Sequence, residues 1–224
     1  MFGGLQKTSL IDFPDRIATV LFTPGCNLRC PFCHNWRLVL EPKEPFLTEK
    51  DVLQILESRK RHLKAVVVTG GEPCMHGDLP KFLAHLKDAG FAVKLDTNGF
   101  FPDVLEKCLM YLDFVALDVK TSLEKYKRLG ANEVDNFSRS IDLLKQGKVD
   151  YEFRTTMVPS FVDKEDVPRI GELVKDAKRF VFQQFVPNDT LDKEFTKVKP
   201  YSANIMLDYA DMMKKYVNDI TLRI

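Results

Sequence analysis

The chain has 224 residues, of which 45% are hydrophobic, and its 33 basic and 32 acidic side chains give a formal net charge of +1. This length and apolar content suffice for one substantial core, so we expect residues 1–224 to form a single domain. The nearly balanced charge excludes partners that are attracted by the summed field of a protein, such as nucleic acid or an anionic membrane surface.

Six short runs rich in β-branched residues are predicted to be strands. In chain order they cover residues 17–23, 65–69, 92–97, 113–119, 151–157 and 180–186, and residues 220–224 are a candidate for a terminal strand. Most of these runs are apolar almost throughout, which is typical of strands that are covered on both faces in a parallel sheet.

Helical patterns lie between these strands. Thr48 and Asp51 resemble a capping box, and apolar residues recur at helical spacing in residues 79–86, 103–112, 136–145, 168–178 and 202–217. Regular alternation of strands and helices predicts an α/β fold, namely a partial (β/α)6 TIM-like barrel of parallel strands with outer helices. The sequence of the final helix, residues 202–217, does not indicate its function.

The cysteines and the opening residues bear on the compartment. The first residues lack the basic start and apolar stretch of a secretory signal, and no apolar run approaches the ~20 residues of a membrane span. Five cysteines without a disulfide-like spacing suit a reducing compartment, where thiols stay available to metal. We therefore predict a cytoplasmic protein that binds metal.

Three cysteines, Cys26, Cys30 and Cys33, lie in the loop directly after the first predicted strand. In α/β barrels, functional groups gather in the loops at the carboxyl ends of the strands. Four-iron clusters usually take four cysteine ligands, so a loop that supplies three leaves one iron open to a ligand that reacts. Structural zinc, the alternative, usually uses paired Cys-x-x-Cys units or histidines in a closed shell, and this spacing favours the cluster.

The loop reads CNLRCPFC from Cys26 to Cys33, and it resembles the signature of the radical S-adenosylmethionine (SAM) superfamily. That resemblance implies that Cys26, Cys30 and Cys33 are catalytic and hold a [4Fe-4S] cluster whose fourth iron chelates SAM. It also implies that the main chain at Phe32 contacts the adenine of SAM. No cysteine occurs in residues 36–48, where relatives with extra clusters insert a second cysteine-rich segment, so one cluster is expected.

The second predicted strand ends at Gly70, Gly71 and Glu72, where two glycines allow a close approach of the backbone to a ligand. Alone, this pattern is more typical of a tight turn. Beside the cysteine loop it resembles the Gly-Gly-Glu motif of the same superfamily, which implies that these three residues bind the methionine part of SAM.

The third and fourth predicted strands end in Asp-Thr-Asn-Gly and Asp-x-Lys segments. Helix caps and solvated charges are the commoner fate of such residues. Both segments, however, resemble those that line the SAM site in activating enzymes of glycyl-radical enzymes. The resemblance implies that Asp96, Thr97 and Asp118 hold a monovalent cation beside SAM, and that Lys120 contacts SAM.

Further along the chain the functional signals are weaker. Arg154 on the fifth strand could point into the barrel, where a buried arginine needs an anion such as the SAM carboxylate. Gln183 or Gln184 on the sixth strand could point there too, although surface positions are equally compatible with the pattern. Cys74 is interpreted as a packing residue rather than a fourth cluster ligand, and His34 has no role that the sequence indicates.

The opening segment GGLQKTSLIDFP, together with the Cys-His-Asn end of the cysteine loop, resembles activating proteins of anaerobic ribonucleoside-triphosphate reductase. That resemblance implies a flavodoxin or ferredoxin that reduces the cluster, and reductive cleavage of SAM to a 5′-deoxyadenosyl radical. The radical then takes a hydrogen atom from a glycine of the reductase, which is the implied partner.

Three alternatives remain open from the sequence. The chain could activate pyruvate formate-lyase or another glycyl-radical enzyme, or it could act on a small molecule. It could also be an electron carrier that uses the cluster without catalysis, but an electron carrier has no need of the Gly-Gly-Glu and Asp-x-Lys segments.

Overall fold

The computed structural model describes residues 2–44, 46–131 and 133–224. Eight strands form one sheet in chain order: β1 Gly4–Phe13, β2 Arg16–Thr23, β3 Ala65–Gly70, β4 Ala92–Thr97, β5 Phe114–Asp118, β6 Asp150–Met157, β7 Arg179–Gln184 and β8 Asp219–Arg223. The first pair is an antiparallel hairpin, and every later pair is parallel. The carboxyl ends of β2 to β8 therefore lie at the same edge.

Helices follow most of the strands: α1 Trp36–Leu40, α2 Glu49–Arg59, α3 Leu79–Asp88, α4 Pro102–Cys108, α5 Asp135–Lys145, α6 Asp166–Leu173 and α7 Ala203–Met213. The predicted capping box starts α2, because the Thr48 side chain accepts from the Asp51 backbone and the Asp51 carboxylate accepts from the Thr48 backbone. Within the described residues, no helix is long and apolar enough to cross a membrane.

The two faces of the sheet carry different side chains. Its outer face packs against the helices in a large core that includes Leu21, Val68 and Leu95. The inner face begins with a small apolar cluster that includes Val20, Val67 and Ala116. From β4 to β8 the inner face becomes charged, with Lys94 paired in register to Val67 and Asp118 paired to Arg154. The concave side of the sheet is therefore a polar cavity and not a packed barrel interior.

The predicted α/β fold with parallel strands and outer helices is confirmed, and all six predicted strands form within two residues of their expected bounds. The candidate terminal strand also forms, as β8, and it extends the parallel sheet. One detail differs, because β1 forms an antiparallel edge strand that the sequence did not predict. Residues of β1 are mostly exposed or half-buried, so the segment lacks the apolar signal by which the other strands were found.

Candidate active site

The cysteine loop leaves the carboxyl end of β2 and is tied to distant parts of the chain by backbone hydrogen bonds. The Arg29 amide donates to the Leu129 carbonyl at 2.8 Å, and the Asp192 amide donates to the Pro31 carbonyl at 2.8 Å. Cys26, Cys30 and Cys33 all line one cavity of about 440 Å³ at the carboxyl edge of the sheet. The three thiols predicted to act together thus line the same cavity, which has the size of a small-molecule site.

The three thiols are hard to ionise in the protein alone. Burial raises the pKa of Cys26 and Cys33, and it raises the pKa of Cys30 to about 12. The positive charge of Lys120, which lines the same cavity, acts in the opposite direction on the pKa of each of the three thiols. Because metals bind thiolates, loading of a cluster must release these protons, and Lys120 favours that release.

Replacing Lys120 by methionine is expected to slow alkylation of Cys26 and Cys33 in the metal-free protein. Removing the positive charge raises the pKa of both thiols and lowers the thiolate fraction, so iodoacetamide should react at least about threefold more slowly at pH 8. In both proteins the rate should rise about tenfold per pH unit while the thiols are mainly protonated. Peptide mass spectrometry measures the rate at each cysteine.

The matched control for this variant is Lys127→Met, because Lys127 is exposed and is absent from the cavity lining. It removes the same charge from the same region of the chain and should leave both alkylation rates unchanged. Equal slowing by the two variants would mean that Lys120 does not act on the thiols specifically.

Two glycines bring the end of β3 against the cysteine loop. The Gly71 amide donates to the Thr23 carbonyl at 2.8 Å, and the Glu72 amide donates to the Gly25 carbonyl at 2.8 Å. A Cβ atom on Gly71 would lie 1.7 Å from the Gly25 carbonyl oxygen, and Gly70 has φ +119°. Only glycine fits this close approach, which fixes the distance between β3 and the loop.

Gly71→Ala is expected to displace the cysteine loop, because the Gly25 backbone cannot stay where it is. We expect a loss of stability of about 1–3 kcal/mol or more and poorer cluster loading. Gly77→Ala is the control, since no heavy atom lies within 4 Å of its added Cβ. Thermal melting of the metal-free proteins and iron content after reconstitution measure the two effects; equal behaviour of the two variants would contradict the prediction.

Glu72 is placed differently from the other predicted SAM residues. Its side chain is completely buried, and it does not line the cavity. The carboxylate accepts from the Cys74 amide at 2.9 Å, the Thr97 hydroxyl at 2.7 Å and the Asn98 amide at 2.6 Å. Burial raises the pKa of Glu72 even though these donors lower it. The geometry therefore favours a positioning role, in which Glu72 joins β3 to the loop after β4.

Four of the predicted residues belong to one chain of ion pairs on the inner face. The Arg154 guanidinium donates to Asp118 at 2.8 Å and lies 3.4 Å from Asp96, and the Lys120 ammonium lies 3.2 Å from Asp118. Lys94 pairs with the other oxygen of Asp96. Burial raises the pKa of Asp118, but the charges of Arg154 and Lys120 outweigh it and leave that pKa lowered. The Asp118 carboxylate is therefore ionised.

The cavity lining unites most of the predicted site. Besides the cysteines it includes the predicted residues Phe32, Gly70, Gly71, Asp96, Thr97, Asp118, Lys120 and Arg154. Gln183 also lines it, whereas Cys74 and Cys108 are buried elsewhere, in agreement with a packing role. The predicted SAM contacts and the cation site stay predictions, but their residues lie together.

Sequence reasoning assigned no role to Asn98, which lines the cavity, or to Lys94, which pairs with Asp96 beside it. The Asn98 side chain donates to the Cys26 sulfur at 3.6 Å and to the Asn27 side chain at 2.7 Å. Lys94 is 2% exposed although it lies in the middle of a strand. A lysine two positions before Asp96 lies on the same face of β4, and that alternation was the signal that could have found it.

Comparisons with known proteins identify the family. A family model described as the radical SAM superfamily matches residues 20–174. The chain belongs to the radical SAM superfamily. The solved structure of Streptococcus suis SuiB bound to S-adenosylmethionine has the same fold, with a TM-score of 0.69 at 16% identity over 92% of this chain and 52% of that one.

Two relatives narrow the assignment of this radical SAM protein. A Methanocaldococcus jannaschii protein named as a glycyl-radical enzyme activating enzyme is 36% identical over 232 residues, covering 100% of this chain and 95% of the relative. A pyruvate formate-lyase-activating enzyme of Staphylococcus aureus is 32% identical over 191 residues, covering 76% of this chain and 74% of the relative. The chain is therefore an enzyme of the glycyl-radical activating family, and its partner is a glycyl-radical enzyme.

Membership in this radical SAM family implies a [4Fe-4S] cluster and SAM, and the residues present fit both. Within the described ranges, no three His, Cys, Asp or Glu side chains converge on a point that could hold a single metal ion. The three thiols line the same cavity, which suits a cluster whose irons each take a different thiolate.

Proposed function

We propose that this radical SAM enzyme generates the glycyl radical of anaerobic ribonucleoside-triphosphate reductase. The family supplies the reaction class, and the opening GGLQKTSLIDFP segment with the Cys-His-Asn loop supports this particular partner. The observation that carries the proposal is that three thiols, a glycine turn and a charged inner face open into one cavity. An electron carrier would need only the thiols.

A [4Fe-4S] cluster held by Cys26, Cys30 and Cys33 would supply the one electron that cleaves the bond between C5′ and the sulfonium sulfur of SAM. The products would be methionine, 5′-deoxyadenosine and, after transfer of one hydrogen atom from its α-carbon, a glycyl radical on the partner. Flavodoxin or ferredoxin is the proposed source of the electron.

The residues of the chain position these reactants. Cys26, Cys30 and Cys33 hold the cluster, while the backbones of Gly70 and Gly71 offer polar groups to the methionine part of SAM. The Phe32 main chain lies at the same cavity and is proposed to meet the adenine. Lys120 and Arg154 present positive charge to the SAM carboxylate, so that the reactive carbon is held in one place.

Pyruvate formate-lyase is the second candidate partner, since the Staphylococcus aureus relative is named for its action on that enzyme. The cavity does not discriminate between the two, because in either case the hydrogen atom would come from the α-carbon of a glycine. The partner assignment therefore depends on an activation experiment.

The test is electron paramagnetic resonance of the anaerobically reconstituted, reduced enzyme mixed with SAM and either the reductase or pyruvate formate-lyase. A glycyl-radical doublet on the reductase supports the proposal, and a doublet on pyruvate formate-lyase alone moves the assignment to the second candidate. Formation of 5′-deoxyadenosine without any doublet would redirect the search to other glycyl-radical enzymes or small molecules. An intact cluster with neither product would overturn the proposed function. Cys30→Ala serves as the negative control.

A further inference from the structure

The two carboxylates of the predicted cation site already have positively charged partners within the chain. Lys94 binds one oxygen of Asp96, and the Arg154 guanidinium lies 3.4 Å from the other. Arg154 and Lys120 together bind the two oxygens of Asp118, at 2.8 and 3.2 Å. Each of the four carboxylate oxygens is thus paired with a nitrogen that carries positive charge.

The third predicted cation ligand, Thr97, is engaged as well. Its hydroxyl donates to the buried Glu72 carboxylate at 2.7 Å and accepts from the Gly99 amide at 3.1 Å. These two hydrogen bonds orient the hydroxyl toward the Glu72 carboxylate, which is buried and does not line the cavity. The resemblance implies that oxygens of Asp96, Thr97 and Asp118 bind a monovalent cation. Because these oxygens already have partners within the chain, they do not fit a cation in this protein.

Lys94 is the unusual member of the group. It is 2% exposed, and its neighbours in register, Val67 and Phe114, are apolar. Burying an ammonium group in such surroundings is costly unless it is paired, and Asp96 is the partner that the structure gives it. Lys94, Arg154 and Lys120 against Asp96 and Asp118 give three positive and two negative charges. These five side chains, beside the separate Glu152–Arg223 pair, thus carry the excess positive charge that a bound cation would otherwise bring.

We propose that the side chains of Lys94 and Arg154 take the place of the exchangeable monovalent cation, so that this enzyme binds SAM without K⁺ or Na⁺. The inference rests on one part of the proposed function, namely that the cavity binds SAM, and it does not depend on the identity of the partner enzyme. Covalently attached cations cannot dissociate, and they fix the two carboxylates at the wall of the cavity at any salt composition. Lys94 is a positioning residue in this account, because it acts on SAM through Asp96.

The first experiment compares the reconstituted wild-type enzyme with SAM in KCl and in tetramethylammonium chloride at equal ionic strength, without other metal cations. A K⁺ site saturated a hundredfold above its Kd would raise the melting temperature by about 5–10 °C. We expect equal melting temperatures and a Kd for labelled SAM that agrees within about twofold between the two salts. A K⁺-dependent rise in melting temperature, or SAM binding only in K⁺, would overturn the inference.

The second experiment removes the internal cation. Lys94→Met keeps the length of the side chain but leaves one oxygen of Asp96 without its partner, so the melting temperature of this variant should rise in K⁺ by several degrees. Lys81→Met, at an exposed position on α3, is the control and should respond as the wild type does. A Lys94→Met enzyme that melts at the same temperature in both salts would show that no cation is needed at Asp96 at all, and would also overturn the proposal.

These readouts separate the inference from the proposed function. Absence of SAM cleavage in every salt would count against the proposed function, while the wild-type melting temperatures would still decide the cation question. SAM cleavage that requires K⁺ would support the proposed function but overturn the proposal that Lys94 and Arg154 replace the exchangeable cation. If Lys94→Met fails to fold, the wild-type comparison decides alone.

Discussion

Replacing Cys30 by alanine is expected to abolish cluster binding and SAM cleavage. Cys30 is 7% exposed, lies at the cavity wall and is one of three thiols there. Loss of residues that merely support a metal ligand typically costs about 10- to 100-fold, so loss of a ligand itself should reduce cleavage by more than about 100-fold. Iron and acid-labile sulfide after reconstitution measure the cluster, and chromatography of 5′-deoxyadenosine measures cleavage.

Two other buried cysteines supply matched controls. Cys108 lies in the outer core and is 0% exposed, so Cys108→Ala should cost stability by about 0.5–3 kcal/mol and leave the cluster intact. Cys74→Ala tests whether Cys74 is a fourth ligand, and we expect full cluster content because this thiol does not line the cavity. A Cys30→Ala protein with wild-type iron and sulfide would refute the assignment of the cysteine loop.

The parallel strands could be predicted because the sequence signal and the physical requirement coincide. Strands covered on both faces need apolar residues throughout, as in 65–68 and 114–117, and such runs are visible without any knowledge of their neighbours. β1 could not be found in the same way. Its hydrogen bonds go to β2 on one side only, and exposed residues such as Leu10 and Ile11 show no clear alternation.

The parts of the site that depend on the position of the backbone at a strand end could be predicted from the sequence. The cysteine loop and the two glycines follow strand ends, and parallel strands bring those ends to one edge. The directions of side chains were not predictable from motifs alone. Glu72 belongs to a motif that resembles SAM-binding segments. Its carboxylate nevertheless points into the protein, because three hydrogen-bond donors lie there, namely two backbone amides and the Thr97 hydroxyl. Lys94 belongs to no motif, and only its place two positions before Asp96 on the same face of β4 indicates the contact.

Arg154 is the residue on which the charged inner face depends most. Its side chain is 12% exposed and lies between Asp96 and Asp118, which are 11% and 28% exposed. The carboxylates belong to neighbouring strands, so their mutual repulsion grows if the guanidinium between them is removed. Water can relieve only part of that repulsion, because Asp96 is largely buried.

Arg154→Met is therefore expected to destabilise the metal-free protein by about 3–5 kcal/mol, which is typical when one partner of a buried ion pair is lost. Arg139→Met is the control, because the pair of Arg139 with Asp103 is 2.8 Å long but both side chains are more than half exposed. That surface pair should contribute no more than about 1 kcal/mol. Urea unfolding measures both values, and equal losses in the two variants would contradict a buried charge network.

A second substitution shows whether the loss comes from uncompensated charge or from lost packing. Asp118→Asn in the Arg154→Met background removes one of the two carboxylates that repel each other, so part of the lost stability should return. In the wild-type background the same Asp118→Asn substitution should instead destabilise, because it weakens the partners of Arg154 and Lys120. This opposite sign is the signature of coupled charges, and a loss of equal size in both backgrounds would mean that Arg154 and Asp118 are not coupled.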